Sequence, residues 1–250
     1  MCFLLLFFHV LFSVYLLHSL SKHKRAVRKC FFRKMFHMKR LEGLIIQKGG
    51  DKMINAISKR FSRPKGLIGV IAGYIMAAEN KTLNKWTIDQ LTLKRHDVVL
   101  EVGYGPGYSL KQMLKREPTV KIDGIDASGV MKKQAERKVK QRSVRLMKGG
   151  IETVPLPSAY YDKVLSVNNY TIWNDQQKGV NHIYQALKPG GKTAISMQPR
   201  EADASPEKTK AFAKQIYADL YAAGFEDIEI QFKYITPELS VCVTAKKPGI

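Results

Sequence analysis

Short apolar runs alternate with stretches of helical periodicity after position 94. The runs that predict strands cover residues 98–102, 120–128 and 187–197, with two more that begin at Ser143 and Tyr161. Helical patterns lie between them at residues 109–115, 131–141 and 175–187. Alternation of this kind predicts a mainly parallel sheet with helices on both faces.

The end of the chain changes this pattern. A helical stretch over residues 206–223 is followed by Gly224, a plausible C-cap. Two runs of period two, DIEIQFKYI and LSVCVTAKK, then flank Thr236 and Pro237, as a β-hairpin would. The predicted fold is therefore α/β: a Rossmann-like three-layer sandwich over residues 94–250. Its sheet has seven strands, mostly parallel, with an antiparallel C-terminal hairpin.

A helical segment is predicted before this domain, over residues 51–93. We interpret it as a lid or cover, and its last helix should bury Leu83, Trp86, Ile88 and Leu91. Substrate contacts could come from Tyr74, Asn80, Asn84 or Trp86. For Trp86 we favour simple burial in the core.

The first residues of the chain have a different composition. Residues 1–20 are almost wholly apolar and about long enough to span a bilayer as one helix. No Lys or Arg precedes them, unlike a secretory signal, and the residues between Lys22 and Arg40 are strongly basic without an acid. We therefore expect a transmembrane anchor, a basic juxtamembrane segment over residues 21–50 and a cytoplasmic domain behind it. The alternative is a soluble protein that starts at Met38 or Met53.

Charge and cysteine content narrow the class of partner. The formal net charge is +21 over 250 residues, and the basic run beside the apolar segment favours an anionic membrane surface first and nucleic acid second. Cys2, Cys30 and Cys242 fit neither a metal-ligand nor a disulfide spacing, so we interpret them as reduced thiols and expect no metal.

A glycine-rich turn follows the first predicted strand, in VLEVGYGPGYSL. Parallel sheets bind ligands beyond the carboxyl ends of their strands, where this turn, Asp126, Gly149–Ile151 and Asn168–Tyr170 should meet. Asp126 lies at about the spacing from which an acid reaches a ribose diol. The turn is not G-x-G-x-x-G, and Glu101 precedes it by two residues. A negative charge there suits an ammonium and a sulfonium better than a pyrophosphate, which favours S-adenosylmethionine over NAD.

Several segments then show a resemblance to a known family. VLEVGYGPG, GIDAS, GGIETVPLPSAYYDKV and HIYQALKPGGKTAI resemble, in order, the motifs of class I S-adenosylmethionine-dependent methyltransferases with small-molecule-type domains. The resemblance implies these cofactor-binding residues: Glu101, Gly103, Tyr104, Gly105, Gly107, Asp126, Ala127, Gly150, Ile151 and Asn168. One position departs, because Gly150 stands where many members carry an acid. The backbone at Ile151 or an inward shift of Glu152 would then recognise adenine.

The expected activity is in-line methyl transfer to a small-molecule or lipid-like acceptor. Such a reaction depends largely on alignment, so it does not require a dedicated base. The nearest candidates for one are Tyr74, Tyr108, Tyr170 and His182, with His182 favoured as structural, and no catalytic residue is assigned. Two alternatives remain open: an RNA or protein methyltransferase that uses the basic helix at residues 131–141, and a membrane-tethered binding module without turnover. The sequence does not indicate an oligomeric state.

Overall fold

The computed structural model describes residues 80–201 and 203–249. The predicted anchor at residues 1–20, the basic segment at 21–50 and residues 51–79 of the predicted cover lie outside these residues. Within the described part, no helix is long and apolar enough to cross a membrane.

Seven strands of the described residues form one sheet. In chain order they are β1 (Val98–Val102), β2 (Lys121–Asp126), β3 (Val144–Lys148), β4 (Tyr161–Val167), β5 (Leu187–Met197), β6 (Glu226–Ile235) and β7 (Glu238–Lys246). Across the sheet the order is β3-β2-β1-β4-β5-β7-β6. Strands β1 to β5 are parallel, and β7 is antiparallel to both β5 and β6. The predicted mixed sheet with a C-terminal hairpin is confirmed.

In the part of the chain that the structure describes, five α-helices cover the two faces of this sheet. They are α1 (Lys81–Leu91), α2 (Tyr108–Arg116), α3 (Gly129–Lys138), α4 (Gln176–Ala186) and α5 (Pro206–Ala222). Helices α1, α2 and α3 share one buried apolar cluster with the sheet, whereas α4 and α5 contribute to the cluster on the opposite face. This is the three-layer sandwich that the alternating pattern predicts.

Side-chain caps set where these helices begin. Ser128 accepts a hydrogen bond from the Met131 backbone N–H at 3.3 Å, so α3 starts two residues before the predicted position 131. Asp175 caps α4 through the Lys178 N–H at 2.9 Å, and Ser205 caps α5 through the Lys208 N–H at 3.2 Å. Each cap satisfies a backbone donor that the first helical turn leaves unpaired.

Helix α1 is the described part of the predicted cover. Leu83, Trp86, Ile88 and Leu91 are all buried, as the amphipathic pattern predicts. The Thr87 hydroxyl also donates to the Ser196 hydroxyl of β5 at 2.7 Å. Helix α1 is therefore packed against the centre of the sheet.

Candidate functional site

The loop between β1 and α2 is attached to the end of β2 by backbone hydrogen bonds. The Gly103 N–H donates to the Ile125 carbonyl at 2.7 Å, and the Gly105 N–H donates to Asp126 Oδ2 at 2.8 Å. Gly103, Gly105 and Gly107 have φ angles of 77°, 52° and 82°. Residues other than glycine rarely adopt these left-handed conformations, which explains why the loop has glycine at all three positions.

The three glycines have different surroundings. A Cβ on Gly103 would lie 1.8 Å from Nδ2 of Asn169, and one on Gly107 would lie 3.2 Å from the Ala135 Cβ of α3. A Cβ on Gly105 would meet no atom within 4 Å. Gly103 and Gly107 therefore permit close packing, whereas Gly105 borders open space.

Asn169 supports this loop, whereas the sequence placed it only among the residues that should meet at the carboxyl ends of the strands. Its Nδ2 donates to the Val102 carbonyl at the end of β1, and its Oδ1 accepts from the Ser166 hydroxyl at 2.7 Å and from Trp173 Nε1 at 2.9 Å. The side chain thus joins the ends of β1 and β4. Its place directly after β4 was the available signal.

Glu101 places a buried carboxyl group beside the loop, and only one of its two oxygens has a hydrogen-bond partner. The residue is 2% exposed, and the Ser109 hydroxyl of α2 donates to its Oε1. Oε2 has no hydrogen-bond partner. Burial raises the pKa of Glu101 from 4.5 to about 8, against the effect of the Ser109 hydrogen bond and with a smaller contribution from Asp126. A cationic group at Oε2 would stabilise the ionised form.

Asp126 ends β2 and fixes the loop from the other side. Oδ2 accepts from the Gly105 N–H and Oδ1 accepts from the Ser128 N–H, each at 2.8 Å. Burial raises the pKa of the Asp126 carboxyl, and these two backbone hydrogen bonds oppose that shift. Ala127, the next residue, is exposed at the same edge. These two hydrogen bonds fix the orientation of the carboxylate at the end of β2.

The side chain of Tyr104 is packed in the hydrophobic core. The residue is 2% exposed, its hydroxyl donates to the Met147 carbonyl at 3.2 Å, and its ring lies against Gly124. The expected ligand contact at this position is therefore limited to backbone atoms. Sequence patterns cannot distinguish these cases, because a tyrosine in a glycine loop can point either way.

The segment after β3 contains Gly150, the position at which this chain lacks the acid of the family's motif. The Ile151 carbonyl is held by His182 Nδ1 of α4 at 2.6 Å, which agrees with a structural role for this histidine. Glu152 accepts from the Asn174 N–H at 2.6 Å through Oε1. Its Oε2 lies only 2.5 Å from the point where a Cβ on Gly150 would be. The Glu152 carboxyl therefore occupies the space that a side chain at position 150 would enter.

A polar cluster lies next to the loop, at the ends of β4 and β5. Asn168 Nδ2 donates to Asn80 Oδ1 at 2.9 Å, and Arg200 Nη2 donates to the same oxygen at 2.7 Å. Asn168 Oδ1 also accepts from the Gln198 N–H at 2.7 Å. We call Asn80, Asn168 and Arg200 the amide–guanidinium cluster. It joins the start of α1 to the carboxyl ends of β4 and β5.

The remaining predicted candidates have other roles or lie elsewhere. The Tyr170 hydroxyl donates to Asp219 of α5, and burial raises its pKa. Burial also raises the pKa of Tyr108, at the first position of α2. Asn84 bonds back to the Asn80 carbonyl at 2.7 Å, Trp86 is 8% exposed, and Tyr74 lies outside the described residues.

One cavity in the described part of the chain lies away from this edge. It has a volume of about 610 Å³ and is lined by residues at the amino ends of β1, β2 and β3, among them Lys121, Arg142 and Arg145. In parallel sheets the ligand site lies at the carboxyl ends. In the described residues, no group of three His, Cys, Asp or Glu side chains could hold a metal ion.

Comparisons with known proteins agree on one family. Residues 99–191 match a family model described as a methyltransferase domain. An uncharacterised methyltransferase of Bacillus subtilis (strain 168), YdaC, is 69% identical over 180 residues, which are 72% of this chain and 99% of that protein.

More distant relatives carry named activities. A chloroplastic 2-methyl-6-phytyl-1,4-hydroquinone methyltransferase of Spinacia oleracea is 24% identical over 55% of this chain and 42% of its own length. A malonyl-[acyl-carrier protein] O-methyltransferase of Priestia megaterium is 29% identical over 46% of this chain and 43% of its own length. The chain thus spans less than half the length of these two relatives.

Solved structures share the fold. Phosphoethanolamine N-methyltransferase 2 of Haemonchus contortus, crystallised with S-adenosylhomocysteine, gives a TM-score of 0.56 at 19% identity, over 67% of this chain and 52% of that chain. A SAM-dependent methyltransferase of Aquifex aeolicus gives 0.55 at 20% identity, over 66% of this chain and 89% of that chain.

Proposed function

Because the chain belongs to the class I S-adenosylmethionine-dependent methyltransferases, we propose that it methylates a small-molecule or lipid-like acceptor beside the amide–guanidinium cluster. The observation that carries this proposal is the proximity of two kinds of group at one edge of the sheet. The Glu101–Gly105–Asp126 arrangement suits the methyl donor, and the cluster at the ends of β4 and β5 adjoins it.

The residues around the loop fit S-adenosylmethionine. The unpartnered Oε2 of Glu101 would accept a hydrogen bond from the ammonium group, and the carboxylate of Asp126 would accept from the ribose hydroxyls. The open space at Gly105 lets the ligand approach the backbone closely. The backbone at Ile151 and the carboxyl of Glu152 would recognise the adenine. When bound, the donor supplies a methyl group activated by a sulfonium.

The acceptor side differs chemically from the donor side. Arg200 brings a positive charge, and Asn80 and Asn168 bring amides, to the space beside the loop. These groups suit an acceptor whose reactive atom lies near an anionic or carbonyl oxygen. A malonyl group, which names the acceptor of one relative, carries carboxylate and carbonyl oxygens. A hydroquinone, which names the acceptor of another, carries hydroxyl oxygens that can also accept hydrogen bonds from an amide or a guanidinium.

The chain's contribution to the reaction is mainly positional. Displacement at a methyl group requires the nucleophile on the line of the breaking bond, and holding both partners in that geometry lowers the entropic barrier. The Tyr170 hydroxyl is engaged with Asp219, so it is not available as a base, and His182 Nδ1 is engaged with the Ile151 carbonyl. We therefore infer that the amide–guanidinium cluster orients the acceptor and that deprotonation needs no dedicated side chain.

Labelled methyl transfer tests this proposal. The full chain is incubated with methyl-labelled S-adenosylmethionine and an extract, which is then separated into small-molecule, lipid, protein and RNA fractions. The proposal predicts label in the small-molecule or lipid fraction, and label confined to protein or RNA would contradict it. With the purified acceptor, Arg200→Gln should raise KM about tenfold or more and leave affinity for S-adenosylhomocysteine unchanged. Arg142→Gln, at the amino ends of the strands, is the matched control.

Membrane association remains a prediction that a truncation can test. Removal of residues 1–37 should lower activity on membrane-embedded acceptor without changing the affinity for S-adenosylmethionine. Equal activity of the truncated and full chains on native membranes would contradict an anchoring role.

A further inference from the structure

Strand β6 forms one edge of the sheet and is unusually long and apolar for an exposed edge. Among the described residues it pairs with β7 alone, so its outer backbone groups face no other strand. Ile230, Phe232 and Tyr234 are 40%, 47% and 67% exposed. A long edge strand with exposed apolar side chains favours pairing with another strand.

The two faces of this strand have different chemistry. Ile228 packs against the cluster beneath α5, so Ile230, Phe232 and Tyr234, at alternate positions, lie on the α5 face. Helix α5 presents two more exposed aromatic residues, Tyr217 and Tyr221, whose rings stack with centroids 6.3 Å apart. The opposite face of β6 carries Glu229, Gln231 and Lys233. One face is thus apolar and the other is polar.

The order of these residues is self-complementary for antiparallel pairing about Gln231. In that register Ile230 lies opposite the partner's Phe232 on the apolar face. On the polar face Glu229 lies opposite the partner's Lys233, so two such pairs of opposite charge form by symmetry. Cross-strand pairs of both kinds stabilise antiparallel sheets.

A neighbouring register is less favourable. Pairing about Ile230 would place Asp227 opposite the partner's Lys233, but Asp227 is already paired with Lys246 at 2.8 Å. The ladder between β6 and β7 is also irregular between Glu226 and Glu229, whereas it is continuous from Glu229 to Ile235. The regular part of the edge is the part that the Gln231 register uses.

We propose that two copies of this chain form a two-fold homodimer through antiparallel β6–β6 pairing centred on Gln231. The two sheets become one continuous sheet, which removes the exposed edge. The apolar side chains of β6 are covered across the two-fold axis, between the α5 helices of both copies. This interaction is independent of the acceptor of the methyl group.

A charge exchange tests the register directly, with sedimentation velocity of the purified full chain as the measurement. Wild type should dimerise at micromolar concentration. Glu229→Lys and Lys233→Glu each create two like-charge pairs, so each should raise the dimer dissociation constant roughly tenfold or more. The double variant E229K/K233E restores both pairs and should return within about threefold of wild type.

Two further variants distinguish this interface from association through another surface of the chain. Phe232→Asp should weaken the dimer, because it places a charge on the apolar face of β6. Glu226→Lys, with the same charge change as Glu229→Lys but outside the pairing register, should leave the dimer intact. Circular dichroism and S-adenosylhomocysteine binding check that each variant is folded. A wild type that stays monomeric up to about 100 μM overturns the proposal, as does a dimer that the single charge changes do not weaken or that the double variant does not restore.

Discussion

Replacing Glu101 with glutamine should make the stability of the ligand-free protein less dependent on pH. In the folded chain, burial raises the pKa of this carboxyl from 4.5 to about 8. Between those values the folded state keeps the proton and the unfolded state has lost it. The free energy of unfolding therefore falls as pH rises from 4.5 through 8. Glutamine preserves the shape of the neutral side chain and removes the titration.

The size of the change in the free energy of unfolding depends on how much of the interval between pH 4.5 and pH 8 the experiment covers. Each pH unit over which the two states differ by one proton changes the free energy of unfolding by about 1.4 kcal/mol. Between pH 6 and pH 9 the wild type should therefore lose roughly 2 to 3 kcal/mol more than the variant. Asp126, whose pKa is also raised, is present in both proteins, and its charge is only the smallest cause of the shift in the Glu101 pKa, so the difference reports mainly Glu101.

Urea denaturation followed by circular dichroism, at pH 6 and pH 9, measures this difference. Glu226→Gln, an exposed glutamate of β6, is the matched control and should follow the wild type. The result that would refute the reasoning is an E101Q curve parallel to that of the wild type. Glu101 would then not be held neutral in the folded protein.

The same carboxyl should link ligand binding to pH. If the ammonium group of the donor binds ionised Glu101, the wild type must release a proton on binding below pH 8. Its affinity for S-adenosylhomocysteine should then rise by up to about tenfold per pH unit toward pH 8. E101Q should bind more weakly, with a flatter pH dependence. Titration calorimetry in buffers of different ionisation enthalpy measures the released proton.

The other predictions concern the loop and its neighbours. Asp126→Asn should weaken S-adenosylhomocysteine binding about tenfold to a hundredfold, measured by calorimetry, because charge-assisted hydrogen bonds to the ribose are lost. Gly103→Ala should lower the free energy of unfolding by about 2 kcal/mol or more, since its Cβ meets Asn169 at a positive φ. Gly105→Ala, with open space at its Cβ, should destabilise the fold less but impair ligand binding, and equal stability losses in the two variants would contradict this distinction. Tyr170→Phe should keep kcat within about threefold of wild type in the methyl-transfer assay, whereas a loss of a hundredfold, in the range of a general base, would show a catalytic role.

Local sequence patterns were sufficient to predict the sheet, but they did not predict which side chains support the glycine-rich loop. Apolar runs and turn residues predicted seven strands, and parallel strand order follows from their alternation with helices. The inward orientation of Tyr104 depends on contacts with Gly124 and Met147, which lie on other strands. The position of Asn169 against Gly103 likewise joins residues far apart in the chain. No periodicity encodes such contacts, because packing between elements determines them.

Two features show how an interpretation from sequence was sharpened. The Glu101 side chain was expected to suit a cation, and the structure adds that one of its oxygens has no partner and that burial raises its pKa. The absence of an acid at Gly150 is partly explained by Glu152, whose carboxyl fills the adjacent space. Neither observation can be made from residue spacing, because both depend on side-chain burial and rotamer.

A crystal structure of the full chain with S-adenosylhomocysteine tests the proposed donor site most directly. We predict the ribose hydroxyls within about 3 Å of the Asp126 carboxylate, the amino group beside Glu101 Oε2, and the adenine next to Ile151 and Glu152. The sulfur atom of the ligand, from which the methyl group leaves, should face Asn168 and Arg200. A ligand bound instead in the groove at the amino ends of the strands, beside Lys121 and Arg142, would contradict the account.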